Sequence, residues 1–284
     1  MYRPSLKSDR SLIILLILAI VLFYIAQSSY LHIKSDNYEL KIAAANLMKA
    51  SIDSLTAEIN RRGIEIDPID DPLKTGLIGN RLSSITTDRG LLSEKQAAIN
   101  PNISAIFVEE LSKLKLMPGD CIAVGITGSN PAVNIALYSA IQVMELNPKI
   151  VVSLSSASYG ANRPELTWLD MENILKEKGL INFKSAYASF GGKEDLGIGL
   201  SDNGIKALRD AMQRNNVPLL IGNNLDDNIS LRMAAYDEML PEGQRYKAFI
   251  NIGTGIANVG SEPNANLIPE GINRNLAEHS YEKE

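Results

Sequence analysis

The sequence predicts an α/β protein, with a mostly parallel, helix-covered sheet of the doubly wound type behind an N-terminal membrane helix and a stalk helix. Three observations predict it. Strand-like runs at about 121–126, 149–155, 184–189, 217–221 and 246–252 alternate with helical patterns at about 130–146, 166–179, 202–215 and 229–240. Several of the runs, such as Lys149-Ile-Val-Val-Ser-Leu154 and Val217-Pro-Leu-Leu-Ile221, are continuous rather than alternating, as a sheet covered on both faces requires. Finally, Leu12 to Ala26 is uninterrupted apolar sequence, preceded by Arg3, Lys7 and Arg10.

The apolar run comes first in the chain. Its twelve Leu, Ile, Val and Phe residues favour insertion by roughly 4 to 7 kcal/mol. Alone it makes only about 22 Å of helix against a hydrocarbon core of about 30 Å, and continuing to Leu31 makes up the difference. Tyr24 and Tyr30 then stand near the far interface. The competing reading is a cleaved signal peptide with Ala26-Gln27-Ser28 as a small-x-small site. The length of the run and its polar flank favour an uncleaved anchor. Either way the upstream basic residues place the body of the protein outside the cytoplasm; on the anchor reading residues 1–11 are cytoplasmic and 12–31 span the membrane.

Residues 32–65 read as the stalk helix, with Ala45, Met48, Ile52, Leu55 and Ile59 forming one narrow apolar stripe. That stripe is too short for a coiled coil and predicts packing on the chain's own domain. Gly63 ends it. The α/β domain then runs over 66–260, and 261–284 is a C-terminal tail. Turns at Asp67-Pro68 and Asp71-Pro72 lead to short extended pieces at Thr75–Gly79 and Leu82–Thr87. A helical stretch from Ser93 breaks at Asn100-Pro101 and resumes from Ile103 to Leu116, and Met117-Pro-Gly-Asp120 turns the chain into the first strand of the main sheet.

That strand, Cys121 to Ile126, breaks at Gly125, Thr127, Gly128 and Ser129. Asn130 follows as helix cap with Pro131 at the first helical position, where a missing N–H costs nothing. A strand turning through glycines into a helix start aims N–H groups at one spot, which favours an anion. Ligands of parallel sheets lie outside the carboxyl ends of the strands. Five segments share that rim: Thr127-Gly-Ser-Asn130, Ser155-Ser-Ala-Ser-Tyr-Gly-Ala-Asn162, Phe190-Gly-Gly-Lys193, Gly222-Asn-Asn224 and Gly253-Thr-Gly255. Small residues also serve merely as turns, but five such loops at one edge point to close approach by a ligand met with neutral donors. The candidate binding residues are Thr127, Gly128, Ser129, Asn130, Ser156, Asn162, Gly192, Gly253, Thr254 and Gly255.

The net charge of −5, without a Lys/Arg cluster, excludes a phosphate-tracking face for nucleic acid. Cys121 is the only cysteine and opens an apolar run, so it reads as a buried structural thiol. The two histidines, His32 and His279, lie outside the patterned region, which leaves no Ser-His-Asp or Cys-His set and no zinc site. Gly125-Ile-Thr-Gly-Ser129 is not the nucleophile elbow, because Gly128 directly precedes the serine. Neither a P-loop nor a Rossmann fingerprint is present. No metal and no cofactor are expected. What remains for catalysis is a Ser or Thr nucleophile with a lysine base, drawn from Ser129, Thr127 or Ser156 with Lys95 or Lys193. Glu165, Asp170 and Glu172 are carboxylates near the rim that could serve as acid or base. Trp168, just inside a helix that Thr167 or Glu165 caps, is either core or a wall of the cleft.

Leu77-Ile-Gly79 with Ile85-Thr-Thr87, Asn100-Pro-Asn102, Gly125-Ile-Thr-Gly-Ser129 with Pro131-Ala-Val-Asn-Ile-Ala136, and Thr167-Trp-Leu-Asp-Met-Glu172 together resemble the poly-gamma-glutamate system protein family. The resemblance spans most of the chain, anchor included. It departs at Tyr159, where the family tends to have Trp, and at Ala97 or Ala98, where it tends to have Thr. The resemblance implies a bacterial, membrane-anchored accessory to poly-gamma-glutamate synthesis and export, and brings no assigned catalytic residues. The partners expected are the membrane, poly-gamma-glutamate or glutamyl units, and the polymer synthase or export complex. A gamma-glutamyl hydrolase or transferase, and a non-enzymatic scaffold for the synthase, are the alternative functions.

Overall fold

The computed structural model describes residues 8–29, 34–269 and 271–273, so Arg3, Lys7, Tyr30, His32 and His279 lie outside the described residues. The chain divides into two units, Met1–Tyr38 and Glu39–Glu284. In the first, helix α1 (Asp9–Ser28) has 20 residues and none of them is buried. That length corresponds to about 30 Å, enough to cross a hydrocarbon core. It is the one helix among the described residues long and apolar enough to do so. At its end the Ser28 and Ser29 hydroxyls donate to the Ile25 and Ala26 carbonyls, closing groups that a helix terminus leaves open.

In the second unit α2 (Tyr38–Arg61) buries Ala44, Met48, Ile52, Leu55 and Ile59 in the same core as the sheet. The stripe thus falls one residue from the sequence reading at its first position, with Ala44 rather than Ala45 inside. Thr75 to Gly79 is not extended. The Asp71 carboxylate accepts from the Thr75 hydroxyl at 3.0 Å and the Gly76 N–H at 2.6 Å, a side-chain-closed turn that competes with a strand. Of the second extended piece only β1 (Thr86–Asp88) forms. Helices α3 (Leu92–Ala98) and α4 (Ile103–Lys113) flank Asn100-Pro101 as the sequence predicts.

The main sheet consists of β2 (Cys121–Thr127), β3 (Asn147–Ser153), β7 (Tyr187–Ser189) and β8 (Ala248–Asn251), all parallel, in the order β7-β3-β2-β8. Between β3 and β7 the chain makes three two-residue strands, β4 (Ser156–Ala157), β5 (Asn162–Arg163) and β6 (Leu166–Thr167). Helices α5 (Pro131–Val143), α6 (Trp168–Glu177), α7 (Asp202–Arg214) and α8 (Leu225–Met239) lie between the strands of the main sheet. The run at 217–221 contributes one bridge, Ala188 to Leu219, instead of a full strand. Pro218 has no N–H to extend the ladder and only accepts, from Ala188 N–H at 3.0 Å. Two short helices, α9 (Ile256–Val259) and α10 (Glu262–Leu267), follow β8, so part of the expected tail is helical.

Alternate residues of the strands face opposite ways. Ile122, Val124, Ile126, Ile150 and Val152 join residues of α2, α5, α6 and α7 in one large core. Ala123 and Val151 meet Tyr236 of α8 on the other face. Two successive crossovers, β2 to β3 and β3 to β7, step one way across the sheet, and β8 then returns to the far side of β2. The direction of winding therefore reverses between β2 and β8, the place where open sheets of this kind leave a crevice at their carboxyl edge.

Candidate functional site

At that reversal the rim loops touch. Gly253, at φ +88°, sits where an added Cβ would lie 2.6 Å from Thr127 Oγ1. A Cβ on Gly255 would come within 3.2 Å of Thr127 Cγ2 and 3.5 Å of Ser153 Oγ. On the next loop the Thr87 and Ser155 hydroxyls are 3.0 Å apart, and Gly192 lies against Thr87. Ser129 Oγ accepts from the Ala157 N–H at 3.0 Å. The loops after β2, β3, β7 and β8, with Thr87 of β1, are thereby brought to one edge, whereas in the fifth expected segment Gly222 bonds to Asn228 of α8.

Their members differ in what they can offer. Thr127, Gly128, Ser156, Asn162 and Gly255 are buried. The Gly128 N–H donates to Ser153 O, Ser156 Oγ donates to Ala157 O, and Asn162 spends its carboxamide on Asn80 and Thr86. Those groups shape the loops. Ser129, Asn130, Gly192 and Gly253 are half-buried and Thr254 is exposed, so these are the residues a ligand can reach. Lys95, 6% exposed, reaches the same turn and donates to Asn130 Oδ1. Burial pushes its pKa down, against the opposing pull of Glu94 and Asp88. Among the described residues no hydrogen bond joins Lys95 or Lys193 to a hydroxyl.

The carboxylates read from the sequence go elsewhere. Asp170 closes the capping box of α6 with Thr167 and pairs with Arg214 at 2.6 Å. Glu172 is buried in the core, where Oε1 accepts from the Tyr138 hydroxyl at 2.6 Å and the Ser185 hydroxyl at 2.9 Å, and Oε2 accepts from the Ser185 N–H at 2.8 Å. Burial raises its pKa despite those donors. Trp168 is fully buried and stacks edge-on against Tyr138 at 5.4 Å between ring centroids, so it is core and not a cleft wall. Glu165 is exposed.

Beneath the rim lies a polar cluster that sequence reasoning missed. Arg232 of α8 pairs with Asp195 at 2.8 Å, their side chains only 3% and 0% exposed. Its Nη2 also donates to Ser189 Oγ at 2.8 Å and Ser153 Oγ at 3.1 Å, and Nη1 donates to Asn258 Oδ1 at 2.8 Å. Ser153 Oγ in turn donates to Asp195 Oδ1. Asn258 passes the chain of bonds to Asn251, and Asn251 passes it to the Gly253 carbonyl, both at 2.8 Å. Asn228, one turn earlier on α8, accepts from the Gly222 N–H and donates to Glu194 O. Asp195 and Glu194 are both left-handed, at φ 61° and 55°. One signal could have found the cluster: Asn228 and Arg232 stand on the same helical face as the buried Ala235 and Tyr236, polar residues in a core-facing stripe.

A separate groove of about 540 Å³ shares no residue with this rim; Ile52, Leu73, Ala97, Ile99 and Pro101 supply most of its apolar lining. Among the described residues no group of three or more His, Cys, Asp or Glu side chains could hold a metal. No family model, curated protein or solved structure matches the chain.

Proposed function

We propose that the chain is a membrane-anchored, non-catalytic binding protein whose α/β unit holds a carboxylate-bearing polymer, gamma-linked glutamyl units, at the carboxyl edge of its sheet. One observation carries the reading: at the reversal between β2 and β8 Gly253 lies against Thr127, and Ser129, Asn130 and Gly253 on that rim are only half-buried. Neutral donors and a helix start suit repeated carboxylates. The polymer itself comes from the family resemblance. Arg10 and the basic residues before it favour a cytoplasmic N-terminus, which places the α/β unit outside. There, near the membrane, it would serve the synthase or export complex. Calorimetric titration of the full chain in nonionic detergent with gamma-linked oligoglutamate tests this. Saturable heat is expected, and its absence at every chain length rejects the reading.

A second reading, gamma-glutamyl hydrolysis or transfer, draws on Lys95 lying beside Asn130, the residue after Ser129. Polymer incubated with wild type, Ser129→Ala and Thr127→Ala decides it: shortening by wild type alone would support it, and unchanged length throughout removes it.

A further inference from the structure

Among the described residues of the second unit three cationic side chains are buried, and two of them are neutralised or solvated by protein. Arg232 has Asp195, and Arg163 donates to the carbonyls of Gly76, Ile78 and Glu65. Lys95 has one neutral acceptor, Asn130 Oδ1, and forms no ion pair among the described residues. An ammonium carries three donors, so two are left over. A buried charge in that state is costly unless something pairs with it.

The surroundings sharpen the mismatch. Asn130 precedes the thirteen-residue helix α5, yet its side chain makes no capping bond to the first turn. That turn presents N–H groups and the positive end of the helix dipole. Lys95 and the first residues of α5, Pro131 and Ala132, line one cavity of about 10 Å³, together with Leu77, Ala98 and Asn130. That is room for one water-sized atom, too little for a tetrahedral phosphate or sulfate.

We propose that this cavity is a carboxylate subsite, which takes one carboxylate oxygen between the Lys95 ammonium and the start of α5 while the rest of the ligand lies over half-buried Ser129 and Asn130. It rests on the binding reading above only for the identity of the polymer that brings the carboxylate.

The test is heat unfolding of the full chain in nonionic detergent, with sodium acetate against sodium chloride at equal ionic strength. Wild type, Lys95→Met and Lys95→Gln are compared. Acetate is expected to raise the wild-type midpoint above the chloride control, saturably, and to leave both variants at theirs. Without added carboxylate the variants should unfold no earlier than wild type, because an unpaired buried charge has gone. Equal shifts by acetate and chloride in wild type overturn the subsite, as does an acetate shift that persists in both variants. Gamma-linked oligoglutamate should bind the variants about 10- to 100-fold more weakly, the range expected for lost charge-assisted hydrogen bonds. Acetate stabilisation without oligoglutamate binding keeps the subsite and removes the polymer. Equal oligoglutamate binding by all three proteins, with no acetate effect, removes the subsite and keeps the polymer.

Discussion

The two faces of the main sheet are built from alternate residues of the same strands and have opposite chemistry. On the face of α5, α6 and α7, Ile122, Val124 and Ile126 continue to the carboxyl edge without a polar interruption. On the α8 face the sequence of side chains along β2 is Ala123, Gly125, Thr127, and along β3 it is Lys149, Val151, Ser153. Small and hydroxyl residues there leave room for Asn258 over Gly125 and for the Arg232–Asp195 pair beside Ser153. One face supplies apolar burial. The other holds loops in place with a few buried polar contacts, each of which is costly to leave half made.

The largest effect should come from splitting the ion pair. Arg232→Met leaves Asp195 charged, buried and bonded only through Ser153, and denaturant unfolding should show a loss of about 3–5 kcal/mol. Adding Asp195→Asn, which keeps a residue tolerant of the left-handed backbone, should recover much of it. A double mutant no better than Arg232→Met alone would mean the arginine acts by packing and not by charge. For contrast, Ile126→Val on the apolar face should cost only about 0.5–1.5 kcal/mol.

Gly125→Ala probes the same face one layer down. Its new Cβ would meet the Asn258 carboxamide at 2.5 Å, displacing a side chain that bonds both Arg232 and Asn251. The expected loss is about 1–3 kcal/mol, with faster amide exchange at Gly253 to Gly255. Exchange at that loop equal to wild type would show that Asn258 does not hold it.

The smallest effect belongs to Glu172, a buried carboxyl on the apolar face. Burial raises the Glu172 pKa above its ordinary value of 4.5. The folded state thus keeps a proton that the unfolded chain has lost. Its contribution is complete in acid and declines as pH rises through the folded-state value. Glu172→Gln cannot ionise, so the stability of wild type relative to this variant should fall from mildly acidic to alkaline pH. Parallel pH profiles for the two proteins would remove Glu172 as the cause.

Much of the fold was legible because its signals are local. Pro131 marks the start of α5, Thr167, one of the two expected caps, is the cap of α6, and the apolar runs of β2 and β3 lie within two residues of their expected bounds. Where the reading failed, a specific competitor won. Asp71 drew the Thr75–Gly76 backbone into a turn, and Pro218 cut the last expected strand to a bridge. The rim loops could be named from composition, but Asp195, Arg232 and Asn258 could not be joined by inspection. They lie on three different elements, and nothing in the periodicity of one names its partner in another.

Helix and strand positions, the membrane-length apolar helix and the alternation that makes a parallel sheet were set along the chain, since backbone sterics and side-chain spacing act over a few residues. Which strand lies beside which was decided only on folding. Pairing of β8 with β2, and not with the opposite edge, puts Gly253 against Thr127 and creates the crevice. That choice depends on which apolar faces and unpaired edges can be buried together, a property of the assembled layers rather than of any segment.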